Sequence, residues 1–243
     1  MPYKPIMVGY ILSNSAALAK TWIPGFDSLI GGGFPRSSFI ILAGHPGTGK
    51  STFAIQFLLN GAMNAKEPGV YASFLEREEI FMRNMSKSYG FDIKKSIEEN
   101  TLRFLEFTPL ASEAVSDTLN KIVKTVMETG AKRLVIDSLN ALFGDVPPTE
   151  QRRILEIVLN RIIKDQGCTV IAILEQSIGK TEIGFGIEEF VADGLIVFES
   201  YIEGYEAKKR AIIRKLRGTQ HSSRYQAILL NPREGISFLQ LAG

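Results

Sequence analysis

A chain of 243 residues with 45% hydrophobic and 22% charged content has enough apolar material for one large soluble α/β domain. A net charge of +2 gives no bulk attraction for nucleic acid, and a single cysteine, Cys168, excludes a disulfide framework within the chain and fits a reducing cytoplasm. No apolar run approaches the roughly 18 residues of a membrane span.

Taken in chain order, the opening "MPYKPIMVGYIL" is interrupted by Pro5 and Gly9 and has no small-residue cleavage site after it, so residues 1–22 read as an arm or strand rather than a signal peptide. Residues 23–243 read as one domain, with no repeat, low-complexity segment or long linker. "SFIILAG", Ser38 to Gly44, is a short apolar run closed by glycine and predicts a buried strand. "GHPGTGKST" follows and fits G-x-x-x-x-G-K-[ST] at every fixed position. "STFAIQFLLNGAMNA" then predicts a mostly buried helix. Strand, glycine loop and helix is the context a phosphate cradle needs. The glycines let backbone N–H groups turn inward, and the helix start adds the positive end of its dipole. The expected cradle is Gly44, His45, Pro46, Gly47, Thr48, Gly49, Lys50, Ser51 and Thr52. In it Lys50 reaches the β- and γ-phosphates and the Ser51 hydroxyl ligates Mg²⁺.

"GVYASFLE" predicts a strand ending at Glu76. A carboxylate at the carboxyl end of a parallel strand faces the ligand crevice, so Glu76 is the candidate to orient or deprotonate a water. Glu78 and Glu79 read as the solvated start of a helix. "TLRFLEF" predicts the next strand. From Ala114 to Thr129 a helix places Val115, Leu119, Ile122, Val123, Val126 and Met127 on one face. "RLVIDS" is a strand ending in Asp137. An ionised carboxylate on a buried strand tip needs a partner, and Mg²⁺ supplies one; a turn-capping role for Asp137 is the alternative, and Asp117 and Asp145 fit the metal less well. After Pro147-Pro148, Thr149 caps a helix that buries Ile154, Leu155, Val158, Leu159, Ile162 and Ile163 and stops at Gly167. "CTVIAILE", with Cys168 as a small core residue, and "GLIVFE" are further strands. From Lys208 onward the chain predicts strands only: "RAIIRKLRG", "YQAILLN" and "GISFLQ". On such a strand Lys215 and Arg217 share a face, either as a solvated edge or as cations that reach a γ-phosphate, that of a neighbouring subunit included. The alternation predicts an α/β fold: a mainly parallel central sheet, helices on both faces and C-terminal antiparallel hairpins extending one edge.

From about Ile23 to Arg224 the motifs resemble the KaiC-like ATPases of the RecA superfamily. "IPGFDSLIGGGFP", "GHPGTGKST", "RLVIDSL", "GIEEFVADGLIVF" and "KLRGTQH" carry the likeness. The resemblance implies a RecA-like P-loop NTPase that binds ATP and Mg²⁺ and hydrolyses ATP, with Lys50, Glu76, Lys215 and Arg217 as the catalytic set. It also implies a homo-oligomer, a six-membered ring with ATP between adjacent subunits, where Lys215 and Arg217 act on the neighbour's nucleotide. Leu75 departs from the family's usual glutamate pair after T-F, which points to slow hydrolysis. The family's namesake phosphorylates its own Ser and Thr residues, whereas here the segment after Glu175, "QSIGKTEIGFGIEEF", offers only Ser177 and Thr181, so autokinase activity is not expected. The segment Gly179–Gly186 is a candidate lining for a ring's channel.

The expected function is a Mg-ATP-dependent, cytoplasmic ring ATPase that passes its nucleotide state to an unidentified protein partner as an assembly or signalling event. Two other readings stand beside it: an ATP-gated scaffold with little turnover, and a recombinase-like protein on DNA. The near-neutral charge and the lack of a nucleic-acid module disfavour the second. A small-molecule kinase does not suit the K-x-R-G ending. The guanine-specific Asn-Lys-x-Asp motif is absent, and "LIGGG" precedes the P-loop and so is no transporter signature.

Overall fold

The computed structural model describes residues 18–107, 115–144, 146–176 and 191–240. The expectations for residues 1–17, Asp145, Ser177, Thr181 and Gly179–Gly186 concern residues outside these ranges. Two short strands, Leu18–Ala19 (β1) and Phe34–Pro35 (β2), pair antiparallel with each other. The remaining described strands form one nine-stranded sheet. They are Phe39–Gly44 (β3), Gly69–Ser73 (β4), Leu102–Glu106 (β5), Arg133–Asp137 (β6), Thr169–Glu175 (β7), Gly194–Glu203 (β8), Glu206–Leu216 (β9), Gln226–Asn231 (β10) and Gly235–Gln240 (β11). Their spatial order is β11-β10-β9-β8-β3-β7-β6-β4-β5. From β8 to β5 the neighbours run parallel, and β9, β10 and β11 extend the other edge antiparallel. The predicted α/β architecture is therefore the observed one.

The described helices are Lys50–Ala65 (α1), Glu78–Tyr89 (α2), Ile93–Glu98 (α3), Val115–Thr129 (α4), Leu139–Phe143 (α5) and Pro148–Leu159 (α6), the last continuing as a π-helical stretch over Asn160–Asp165. Parallel strands covered on both faces must be apolar on both. β3 shows this directly: Phe39, Ile41 and Ala43 enter a core under α4, α5 and α6, while Ile40 and Leu42 enter a second core under α1, α2 and α3. Ile228, Ile236 and Phe238 of the C-terminal strands curl over that second core and close it against α1. Cys168 is buried in the first core, as expected, and burial pushes its thiol up to about 12.

Four details differ from expectation. Met127 lies in the last turn of α4 and is 55% exposed, outside the buried stripe. Thr149 falls inside α6, which begins at Pro148, a residue suited to a first helical position because it has no N–H to leave unpaired. The helices α3 and α5 are too short to register as apolar periodicity. Strand β4 stops at Ser73, whose hydroxyl accepts from Glu76 N–H at 3.1 Å and donates to Glu76 C=O at 2.7 Å, so Glu76 stands in a turn beyond the strand.

One polar group is built into the base of the sheet. Arg133 is fully buried at the start of β6, with its Nε donating to Glu67 Oε2 at 2.7 Å and its Nη1 to Phe57 C=O at 2.8 Å. Its guanidinium lies 4.3 Å from the centre of the Phe57 ring and 5.3 Å from that of Trp22. Gly61 passes so close that a Cβ there would collide with it. Removing one partner of a buried pair leaves the other charge uncompensated. Glu67→Ala is accordingly expected to destabilise the fold by about 3 kcal/mol or more, read as a lower urea midpoint at unchanged slope.

Candidate active site

The register of the parallel strands decides what meets at their carboxyl edge. Gly44 stands beside Glu175 of β7 and Phe198 of β8, and Ser73 stands beside Asp137 of β6. The loop from His45 to Gly49 caps this edge and leads into α1. Gly44 has φ +142°, and a Cβ there would run into the Phe198 carbonyl, so no other residue fits between the two strands. Gly49 has φ +101° and packs on Leu230 and Ile236, which fixes the start of α1 against the C-terminal strands.

Under the loop lies a cavity of about 280 Å³. Pro46, Gly47, Gly49, Lys50, Ser51 and Thr52 line one side, and Glu76, Asp137 and Glu175 reach it from the ends of β4, β6 and β7. Gly44, His45 and Thr48 shape the loop from behind. Thr48 Oγ1 donates to the His45 carbonyl at 2.7 Å, and the His45 ring is turned outward, its Nδ1 accepting from Ser200 N–H at 3.2 Å.

Lys50 Nζ donates to the carbonyls of Gly44 and His45 at 2.9 and 2.8 Å. Burial lowers its proton affinity, and the negative charges of Glu175 and Asp137 oppose that effect. The ammonium is thus poised in the loop, held by two neutral acceptors that an anionic phosphate would outcompete. Ser51 Oγ donates to Asp137 Oδ2 at 2.8 Å, which brings the two expected metal ligands together. The pair offers only oxygen, one hydroxyl and one carboxylate, a hard donor set that fits Mg²⁺ completing its shell with phosphate and water. Glu76 lines the cavity with its Oε1 accepting from Asn84 Nδ2 at 2.7 Å, and Leu75, 57% exposed, lines it beside Glu76.

With this geometry described, the comparisons with known proteins decide the family. A model of the KaiC ATPase matches residues 19–242. The chain belongs to the KaiC ATPase family. It is 35% identical over 218 residues to UPF0273 protein MJ1359 of Methanocaldococcus jannaschii, covering 84% of this chain and 88% of that protein. It is 32% identical over 221 residues to the circadian clock oscillator protein KaiC of Synechococcus elongatus, of which it spans 42%. The solved structure of a KaiC-like protein, PH0186 from Pyrococcus horikoshii, superposes with a TM-score of 0.81 at 37% identity, over 92% of this chain and 99% of that one. Membership of the KaiC family supports a nucleotide-binding, RecA-like ATPase. Among the described residues no helix is long and apolar enough to cross a membrane.

The two C-terminal cations are not in this cavity. Strand β9 runs antiparallel to β8, so Lys215 stands opposite Leu195, near the amino end of the parallel strands. β9 ends at Leu216, so Arg217 stands beyond the strand and does not share a strand face with Lys215 as expected. Arg217 begins the turn, its N–H donating to Asp193 C=O at 2.8 Å, and Asp193 Oδ2 accepts from the N–H of Phe39, the first residue of β3. The length of β3, about 17 Å at 3.3 Å per residue, separates that level from Gly44.

Two residues of the site escape the sequence reading: Glu175, which lines the cavity, and Tyr71, buried beneath it. Glu175 ends an apolar strand as Asp137 does, and that shared pattern was the available signal. Its N–H donates to Asn140 Oδ1 at 2.7 Å. Tyr71 carried no signal beyond that of a core aromatic, yet its hydroxyl donates to Asp137 Oδ2 at 2.6 Å. Burial raises the proton affinity of Asp137, against the pull of Tyr71, Ser51 and Lys50. Ionisation of Asp137 therefore costs the folded state stability, a cost absent below the ordinary carboxylate range and complete above the raised value. Asp137→Asn, measured without nucleotide and in a metal chelator, is expected to gain about 1 kcal/mol at neutral pH. Urea midpoints taken down the pH scale should show the gain vanish through the carboxylate range.

Proposed function

We propose that this protein is a Mg²⁺-dependent ATPase whose site is completed between subunits of a ring, and that its nucleotide state drives assembly or signalling toward a protein partner. The observation that carries this reading is a division of labour across one sheet. Lys50, Ser51, Asp137 and Glu76 gather at one edge, while Lys215 and Arg217 lie near the other, where they serve a neighbour's nucleotide and not their own.

The chemistry follows from the residues. Backbone N–H groups from Gly47 to Ser51 and the Lys50 ammonium bind and orient the phosphates. Ser51 and Asp137 would hold Mg²⁺, which supplies charge neutralisation on the phosphate oxygens. Glu76 aligns a water for in-line attack on the γ-phosphorus and accepts its proton as the bond to the leaving oxygen of ADP breaks. The neighbour's Lys215 and Arg217 stabilise the charge that spreads over the transferring group. A second reading, an ATP-gated scaffold with little turnover, is favoured by one feature: Leu75 occupies cavity wall beside Glu76 where a second carboxylate would assist the water.

Turnover per subunit, measured across a protein dilution series in excess Mg²⁺, tests the proposal. It is expected to rise with protein concentration and level off, to vanish in Lys50→Ala, and to fall by roughly 10²-fold in Glu76→Gln. Mixing Lys215→Ala with Lys50→Ala protein should restore part of the rate, since some interfaces then pair an intact P-loop with an intact neighbouring cation. Turnover that stays flat while the protein dissociates overturns the trans arrangement. Tight ATP binding without turnover moves the scaffold reading ahead.

A further inference from the structure

Tyr71 is placed unlike an ordinary core aromatic. It lies in the middle of β4, fully buried, paired in register with Val135 of β6, two residues before Asp137. Its ring is stacked on Phe104 at 5.2 Å with an interplanar angle of 6° and packs against Phe81 at 4.7 Å. These contacts leave the phenol oxygen one direction to point in, and it points at the Asp137 carboxylate. There its O–H and the Ser51 O–H converge on the same oxygen, Oδ2.

From this juxtaposition we infer that Tyr71 is a positioning residue for the metal: its hydroxyl fixes the Asp137 carboxylate so that Oδ1, the oxygen the two hydroxyls leave open, is presented to the Mg²⁺ shell. The inference rests on the assignment of Ser51 and Asp137 as the Mg²⁺ residues. A carboxylate at a strand tip rotates about χ2 unless something holds it, and terminal sp³–sp² torsions are broad. Ser51 alone holds it poorly, because Ser51 is itself asked to serve the metal. Tyr71 has no such second task, and its ring is packed against Phe104 and Phe81. Partners that hold a metal-binding carboxylate commonly change metal affinity by 10- to 100-fold when removed.

The test is the binding of a fluorescent, non-hydrolysable ATP analogue, titrated with Mg²⁺ at fixed analogue concentration, in wild type and Tyr71→Phe. Tyr71→Phe keeps the ring and its stack. Equal affinities in chelator show that the cradle is intact. The expected result is a rise of roughly tenfold in the half-saturating Mg²⁺ concentration. Phe104→Leu is the companion variant, removing the stacked ring and keeping the hydroxyl. It should lower the melting temperature and leave the Mg²⁺ midpoint within about twofold of wild type, well short of the loss of a true metal partner. Coincident Mg²⁺ titrations of wild type and Tyr71→Phe, or an equal shift in Phe104→Leu, overturn the role of the hydroxyl while leaving Mg²⁺ at Ser51 and Asp137 standing. A wild-type affinity that ignores Mg²⁺ overturns the metal assignment itself, and the role of Tyr71 with it.

Discussion

An acid at the tip of a strand buried on both faces has to be held by donors, and the donors that hold Asp137 tie the molecule together. Ser51 brings the first turn of α1 to it, and Tyr71 brings β4. The phosphate loop, the metal-side strand and the strand leading to Glu76 are thereby fixed to one carboxylate oxygen. Such a knot is costly in isolation, because burying a charge without a counterion is unfavourable. On the proposed reading, a divalent cation brought in with a nucleotide relieves that cost. The same logic applies to Lys50, whose ammonium rests on two carbonyls of its own loop until a stronger acceptor arrives.

The sheet also separates two functions. Parallel strands collect loops of one kind at their carboxyl edge, and the reversal at β9 returns the chain to the other edge with its cations. On the proposed reading, a cradle near one edge and charge-stabilising cations near the opposite one suit a head-to-tail arrangement in which each subunit completes the next. The C-terminal strands serve both ends of this arrangement. They carry Lys215 downward, and through Leu230 and Ile236 they brace Gly49 at the head of α1.

Much of this was legible in the sequence. The run before Gly44, the glycine spacing and the strand closing on Asp137 are local signals, and each matched its place in the fold. Glu76 was found for the right edge of the sheet but with the wrong local structure, because the turn that Ser73 makes with its own hydroxyl is a short-range competition that apolar patterning does not register. The shared face expected for Lys215 and Arg217 failed because alternation assumes a strand that continues, and here β9 stops at Leu216, before Arg217. Tyr71 was hidden for another reason: its partner is 66 residues away, and nothing in a buried aromatic says which way its hydroxyl points. The α3 and α5 helices were missed because each spans too few residues to show a period.

On the proposed reading, the loop from Gly44 to Thr52 holds the triphosphate through Lys50, with Mg²⁺ at Ser51 and Asp137. Calorimetric titration of the purified protein with Mg-ATP, beside Lys50→Ala, tests it most directly. The account predicts one site per chain in the wild type and no measurable heat of binding in the variant. Binding that survives the loss of Lys50 unchanged, or a folded wild type that takes up no nucleotide, would contradict it.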